Sequence, residues 1–202
     1  MKLHAVLDRC RERLEEADYP EARAWREKGG KILGHFQVYF PEEIAHASGM
    51  LPVKIRGASV EARQADSRFG SYLCSILKTS LELAMSKRLE LDLFVSHPIC
   101  DAARNLAAIW GRNFPYPAHI LYLPQNANSA HAARYLRDEY ERMRGAIAEI
   151  SGHRASDADL KRSIGVFNEN RRLLRALYAI KRDRPWNLSV YESALLMNAG
   201  GM

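Results

Sequence analysis

The sequence predicts an α/β fold in which a parallel sheet of the Rossmann or flavodoxin type is flanked by helices. Short apolar segments alternate with amphipathic helical segments over roughly the first two-thirds of the chain, which is the pattern of a parallel sheet. Glycines and prolines separate these segments, and the last third has helical periodicity only. The predicted organisation is an N-terminal helical segment (1–30), an α/β domain (31–127) and a C-terminal helical segment (128–202).

Local signals place each element of the first two-thirds. Segment 31–40 is short, β-branched and aromatic, as expected of a buried strand. Pro41 and the two acidic residues after it suit the first turn of a helix. The predicted order is helix 3–25 with a break at 19–20, strand 31–40, helix 41–49, strand 51–55, helix 72–88, strand 91–96, helix 100–110 and strand 119–123.

Helices alone are predicted for the last third. An apolar stripe over 132–150 ends at Gly152, a residue type that commonly follows a helix. Ser156 with Asp159 resembles a variant capping box that opens the next helix. Pro185 breaks that helix, and a last one is predicted over 189–198.

Composition limits the classes of function. Hydrophobic residues make up 47% of the chain and charged residues 27%, which is typical of a soluble globular protein. No apolar run is long enough for a membrane span, and the N-terminus lacks a secretory pattern, so a cytoplasmic location without membrane contact is expected. The formal charge of +6 suits a phosphate-rich ligand, an acidic partner or an ordinary solvated surface. There is no nucleic-acid-binding motif and no Walker or Gly-x-Gly-x-x-Gly motif, so neither a nucleic-acid partner nor a nucleotide site is expected.

Three cysteines are an odd number, which favours free thiols or metal ligands over disulfides. Cys100 is predicted at the end of a strand and the start of a helix, where the helix dipole favours a thiolate and where ligands bind in open α/β sheets. Cys74 also falls in the first turn of a predicted helix. The alternative is that both thiols are buried in the core, and spacing alone favours it, because a 25-residue gap is no metal signature. Cys10 lies inside a charged helix and is interpreted as incidental.

Histidines and arginines give weaker indications. His35, His46 and His97 fall near predicted strand or helix ends, where a lone histidine is more often structural than catalytic. His97 is close in the chain to Cys100 and is a candidate for hydrogen bonding around a metal group. A basic stretch is interpreted as a solvated helix face, with contact to the anionic part of coenzyme A as the alternative. Its members are Arg171, Arg172, Arg175, Lys181, Arg182 and Arg184.

Several motifs resemble those of the benzoyl-CoA reductase/2-hydroxyacyl-CoA dehydratase family. Segment 34–53 has the family's strand, Pro-Glu-Glu and Gly-Met-Leu-Pro order. Ser71-Tyr72-Leu73-Cys74 resembles the first cluster-cysteine motif, and Ile99-Cys100-Asp101 with Arg104 resembles the second. Segment 166–171 is also similar to the family. Details near Tyr72, 87–89 and 124–126 are most similar to the C-subunit branch of the class I, ATP-dependent benzoyl-CoA reductases.

The resemblance implies an iron–sulfur enzyme subunit. In this family two paralogous subunits pair, and each holds a 4Fe–4S cluster beside the acyl-CoA site. A separate ATP-hydrolysing activase, supplied by ferredoxin, delivers low-potential electrons. The reductase branch reduces the ring of benzoyl-CoA to a cyclic diene, and the dehydratase branch removes water from 2-hydroxyacyl-CoA. By this resemblance Cys74 and Cys100 are cluster ligands, and no catalytic acid or base is assigned.

The chain departs from the family in one respect. Family members are about twice as long, and a further ligand cysteine comes from a second α/β domain, whereas no cysteine follows Cys100 here. We therefore expect either a fragment, in which 128–202 leads to a missing second domain, or an incomplete relative. A different hypothesis is a non-catalytic scaffold that pairs with a full-length partner.

Overall fold

The computed structural model describes residues 3–15, 19–36, 39–70 and 72–200. The strands are β1 (Ile32–Phe36), β2 (Leu51–Ile55), β3 (Leu93–Ser96) and β4 (Ala118–Ile120). The helices are α1 (Leu3–Glu15), α2 (Pro20–Glu27), α3 (Glu42–Ala47), α4 (Arg63–Asp66), α5 (Ser75–Met85), α6 (Asp101–Asn113), α7 (Ala132–Ser151), α8 (Asp157–Asp183) and α9 (Val190–Ala199). A 3₁₀ turn spans Pro185–Asn187.

All four strands run parallel in the order β2-β1-β3-β4. This confirms the predicted α/β fold. The chain moves from β1 outward to β2 and then returns to the other side of β1 to form β3. The direction of strand order therefore reverses between β1 and β3, and in open α/β sheets ligands bind at the carboxyl ends of the strands at such a switch point.

Each face of the sheet is covered by helices, because the central strands have apolar side chains on both faces. On one face, Ile32, Phe36 and Phe94 pack with side chains from α5 and α6. On the other face, Leu33 and Leu93 pack with side chains from α3 and α7. The alternation along β1 and β3 follows the two-residue period of a strand.

Gly34 permits the close packing around β1. A Cβ atom at this position would lie 2.4 Å from the Leu91 side chain and 2.9 Å from that of Ile55. Those distances are too short for non-bonded carbon atoms, so a larger residue would displace the side chains of both neighbours. The glycine is required by packing here, since it is not one of the glycines with positive φ.

The helical ends match their sequence signals. Gly152 follows α7 with φ of 77°, and Ser156 and Asp159 form a reciprocal capping box at the start of α8. The Ser163 hydroxyl of α8 donates a 3.0 Å hydrogen bond to the Glu43 carbonyl oxygen of α3. This bond fixes α8 beside the segment that leaves β1. Among the described residues, no helix combines the length and apolarity needed to cross a membrane.

Two predicted strands needed correction, and one short helix was not predicted. The predicted strand 31–40 is shorter, since β1 ends at Phe36 and Tyr39 has a left-handed backbone; residues 37 and 38 lie outside the described part. The fourth strand begins one residue earlier than predicted and ends at Ile120. Helix α4 was not predicted, because its four residues are too few to show a helical period.

Candidate functional site

Cys74 and Cys100 occupy equivalent places on one face of the sheet. Each is the residue immediately before a helix, α5 and α6 respectively. Both helices pack on the same face and contact each other. Both also begin at the carboxyl edge: the Ala58 N–H, on the backbone after β2, donates a 3.4 Å hydrogen bond to Thr79 Oγ1 in the second turn of α5. The fold therefore brings the two helix starts to one edge of the sheet.

The surroundings of the two thiols suit ligand binding. Cys100 Sγ accepts a hydrogen bond from the Ala103 backbone N–H at 3.4 Å, in the position of a helix cap. Cys74 makes no side-chain capping bond. Both residues are exposed, so the alternative of two buried core cysteines is wrong. Each thiol lies at the positive end of a helix dipole, a position that favours anionic groups.

The remaining cysteine and the wider donor set are less suited to a metal. Cys10 is half-buried in the interior of α1 rather than at a helix start. Within the part of the chain that the structure describes, no three His, Cys, Asp or Glu side chains converge as a metal site would require. Cys74 and Cys100 are therefore at most part of a ligand set.

The switch point between β1 and β3, where a ligand crevice is expected, is bordered by Tyr39 and His97. Tyr39 follows β1 and His97 follows β3, and their ring centroids lie 5.8 Å apart in an edge-to-face arrangement. Tyr39 is 66% exposed, and its φ of 69° is unfavourable for an aromatic residue. Residues with a strained backbone concentrate at functional sites, and they persist there only where the surrounding structure holds them in place.

His97 is held by the neighbouring strand. Its Nδ1 lies 2.9 Å from the Leu121 carbonyl oxygen, just beyond β4. A carbonyl oxygen only accepts hydrogen bonds, so Nδ1 carries the proton. Next to it, Ser96 is buried and its hydroxyl donates a 2.9 Å bond to the Ala103 carbonyl oxygen in the first turn of α6. The end of β3 is thus fixed to β4 and to the helix that Cys100 precedes.

His35 is a buried histidine in β1, one residue before the strand ends. It is 1% exposed, stacks on Phe40 at 4.9 Å between ring centroids, and donates from Nε2 to a Glu42 carboxylate oxygen at 2.9 Å. Burial raises the pKa of Glu42, but the hydrogen bond from His35 and the charges of Lys54 and Arg171 outweigh burial and hold that pKa below its usual value. The pair connects the end of β1 to the start of α3.

Replacing Glu42 with alanine is expected to destabilise the fold by about 1–3 kcal/mol, because His35 Nε2 would stay buried without an acceptor. Glu42→Gln is the matched control, since its amide oxygen still accepts the bond. Urea unfolding followed by circular dichroism measures both variants. Equal losses for the two substitutions would show that the hydrogen bond contributes little.

Several large apolar side chains in the described part of the chain are exposed around the same carboxyl edge. They are Tyr39, Tyr72, Ile99 and Tyr122. Tyr72 is 89% exposed two residues before Cys74, and Ile99 directly precedes Cys100. Exposed apolar surface of this kind marks ligand or protein contacts. Sequence reasoning missed Tyr39 and Tyr122 because it placed both inside strands; the nearby Pro41 was a signal that β1 ends earlier.

The remaining candidates have structural partners. His46 Nδ1 lies 2.9 Å from the Ser163 hydroxyl, which joins α3 to α8. Arg171 pairs with Glu43, Arg172 pairs with Glu169, and Arg182 pairs with Asp183. Three members of the basic stretch are therefore ion-paired within the described part of the chain.

Comparison with known proteins decides the family. The family model described as "2-hydroxyglutaryl-CoA dehydratase, D-component" matches residues 37–202, a span that contains Tyr39, both exposed cysteines and His97. This chain belongs to that family. The D-component match confirms the resemblance that the motifs around Pro41, Cys74 and Cys100 indicated.

Curated relatives agree with the D-component assignment. The chain is 35% identical, over 96% of its length, to the C-subunit of benzoyl-CoA reductase from Thauera aromatica. It is 29% identical over 72% of its length to the (R)-phenyllactyl-CoA dehydratase beta subunit of Clostridium sporogenes. It is 26% identical over 80% of its length to the (R)-2-hydroxyglutaryl-CoA dehydratase beta subunit of Acidaminococcus fermentans. The chain covers 52%, 40% and 44% of these three proteins, so it spans about half the length of the curated relatives it matches.

Proposed function

We propose that this chain is part of the iron–sulfur subunit of an ATP-dependent benzoyl-CoA reductase, which reduces the aromatic ring of benzoyl-CoA to a cyclohexadiene-carbonyl-CoA. One observation carries the proposal: Cys74 and Cys100 are exposed thiols at the starts of two neighbouring helices on one sheet edge. The relative with 35% identity is named as a benzoyl-CoA reductase subunit, which supports the choice of reaction.

In this proposal Cys74 and Cys100 hold a 4Fe–4S cluster, which supplies the low-potential electron when bound. Their exposure leaves room for an inorganic group, and cysteine side chains are the usual ligands of iron–sulfur clusters. Such clusters commonly take four cysteine ligands. Cys10 lies inside α1, so the proposal takes any further cysteine ligand from outside the described residues.

The same proposal assigns roles to the segments of the chain and to partners. Residues 31–127 form the cluster-binding domain, and 128–202 lead toward a further α/β domain like that expected in the longer relatives. The relatives are named as subunits, so we infer a paralogous reductase subunit as the stable partner. An ATP-dependent activase supplied by ferredoxin is the proposed electron donor, and an acyl-CoA is the substrate.

Anaerobic co-purification with the paralogous partner, followed by iron and acid-labile sulfide analysis, tests the cluster. We expect equal amounts of iron and acid-labile sulfide in the complex. Changing Cys74 to serine should remove the iron and sulfide of the cluster that this chain binds. Cys10→Ser is the matched control and should keep both. A colourless, iron-free complex would contradict the proposal and favour the non-catalytic scaffold.

A 2-hydroxyacyl-CoA dehydratase subunit is the second candidate. The family description and two of the relatives name dehydratases, which favours it. The cluster-bearing complex, supplied with activase, ATP and a low-potential reductant, distinguishes the two reactions. Loss of ring absorbance from benzoyl-CoA supports the reductase, whereas formation of enoyl-CoA from a 2-hydroxyacyl-CoA supports the dehydratase.

A further inference from the structure

The switch-point crevice between β1 and β3 contains a ring nitrogen that the fold itself does not use. His97 uses Nδ1 to donate to the Leu121 carbonyl oxygen at 2.9 Å, on the β4 side of its strand. Among the described residues, none forms a hydrogen bond with its Nε2. The two nitrogens of an imidazole point in nearly opposite directions, so Nε2 is turned away from Leu121.

The other side of His97 faces the β1 side of the crevice. Tyr39, which follows β1, meets the His97 ring at an interplanar angle of 89°. The Tyr39 backbone is left-handed and its aromatic ring is exposed, so the ring lies along one side of the crevice. The imidazole is therefore held by a hydrogen bond on one side and by a ring contact on the other, which fixes its orientation before any ligand arrives.

We propose that His97 Nε2 donates a hydrogen bond to the thioester carbonyl oxygen of the bound acyl-CoA, with Tyr39 as the residue that positions the imidazole. This inference rests on the proposed function, because it takes the acyl-CoA as the ligand of the crevice. The inference names His97 Nε2 as the atom that recognises the reacting thioester group of the substrate. Histidine suits the role because both ring nitrogens of a doubly protonated imidazole donate hydrogen bonds, so Nε2 donates to the ligand while Nδ1 keeps its bond to Leu121.

The carbonyl oxygen is the part of the ligand that this geometry selects. A hydrogen-bond donor on a fixed imidazole recognises an acceptor atom at one position. The carbonyl oxygen gains negative charge when the thioester is reduced, so it accepts a stronger hydrogen bond from such a donor. Ile99 and Tyr122 are exposed on the loops after β3 and β4 and supply apolar surface for the acyl group. The thiol of Cys100 follows on the same loop as His97.

A matched pair of ligands and a matched pair of variants test the inference. Isothermal titration of the complex with its partner subunit compares benzoyl-CoA with the benzyl thioether of coenzyme A, which lacks the carbonyl oxygen. In His97→Asn the shorter amide takes the place of Nδ1 and keeps the bond to Leu121, but nothing replaces Nε2. We expect His97→Asn to weaken the binding of benzoyl-CoA about tenfold and to leave the binding of the thioether unchanged.

His97→Gln is the complementary variant, because its longer amide N–H falls near the position of Nε2. It should bind benzoyl-CoA more tightly than His97→Asn does. Equal effects of His97→Asn on the two ligands, or none on either, would overturn the inference even in a complex that contains iron and sulfide. If His97→Asn weakened the binding of benzoyl-CoA alone in a complex that contains no iron, the role of His97 would be supported and the proposed cluster would be refuted.

Discussion

Cys100→Ser is expected to remove the cluster's visible absorbance and the iron bound by this chain while leaving the chain folded. The thiol is exposed and makes one weak contact, with the Ala103 N–H at 3.4 Å. Serine is among the preferred residues at this helix position, so its hydroxyl takes over the capping bond and the free energy of unfolding should change by less than about 1 kcal/mol. Serine is a poor ligand for iron–sulfur clusters, so the cluster is lost selectively.

Visible absorbance, iron content and urea unfolding, measured on one anaerobic preparation of the complex, separate these effects. The matched control is Cys10→Ser, since Cys10 lies inside α1 and is not expected to bind iron. A brown, active Cys100→Ser complex would contradict the ligand assignment. Loss of both iron and folding would contradict the view that the thiol is dispensable for the fold.

Trp110→Ala is expected to lower the free energy of unfolding by about 3–5 kcal/mol. Trp110 is fully buried in α6, stacks on Phe94 of β3 at 4.0 Å between ring centroids, and donates from Nε1 to the Tyr116 hydroxyl at 2.9 Å. The substitution leaves a large cavity between helix and sheet. It also leaves the Tyr116 hydroxyl, whose pKa is raised by burial, without its donor.

Urea unfolding monitored by far-ultraviolet circular dichroism gives the midpoint and slope for this variant. Trp186→Ala is the matched control, because Trp186 is 78% exposed in the 3₁₀ turn and should change the midpoint little. A loss below about 1 kcal/mol for Trp110→Ala would show that α6 repacks onto the sheet without the indole ring.

Alternation of strand and helix signals was enough to predict the parallel sheet. Strand β2 was predicted with its observed bounds because proline, glycine and apolar alternation delimit it on both sides. The capping box of Ser156 and Asp159 and the helix end at Gly152 were confirmed for the same reason: they depend on residues a few positions apart. Strand β1 was overextended, because Tyr39 and Phe40 have strand propensity while the backbone turns before Pro41.

The candidate site was only partly predictable. The sequence placed Cys74 and Cys100 in the first turns of predicted helices, whereas the structure places each immediately before its helix. It did not determine that both thiols are exposed, and spacing alone favoured burial. The contact of Tyr39 with His97 was not foreseen, because the two residues are 58 positions apart and belong to strands whose adjacency comes from the return of the chain past β1.

The sequence by itself therefore determined the fold class, the helix caps and the family to which the motifs belong. These depend on local periodicity and on residues close together in the chain. The tertiary structure alone decided which loops share the switch point, that α5 and α6 contact each other on one face of the sheet, and that the Leu121 carbonyl oxygen accepts a hydrogen bond from His97 Nδ1. Those features depend on the order of strands in the sheet, which brings distant residues into contact and is not encoded in any one segment.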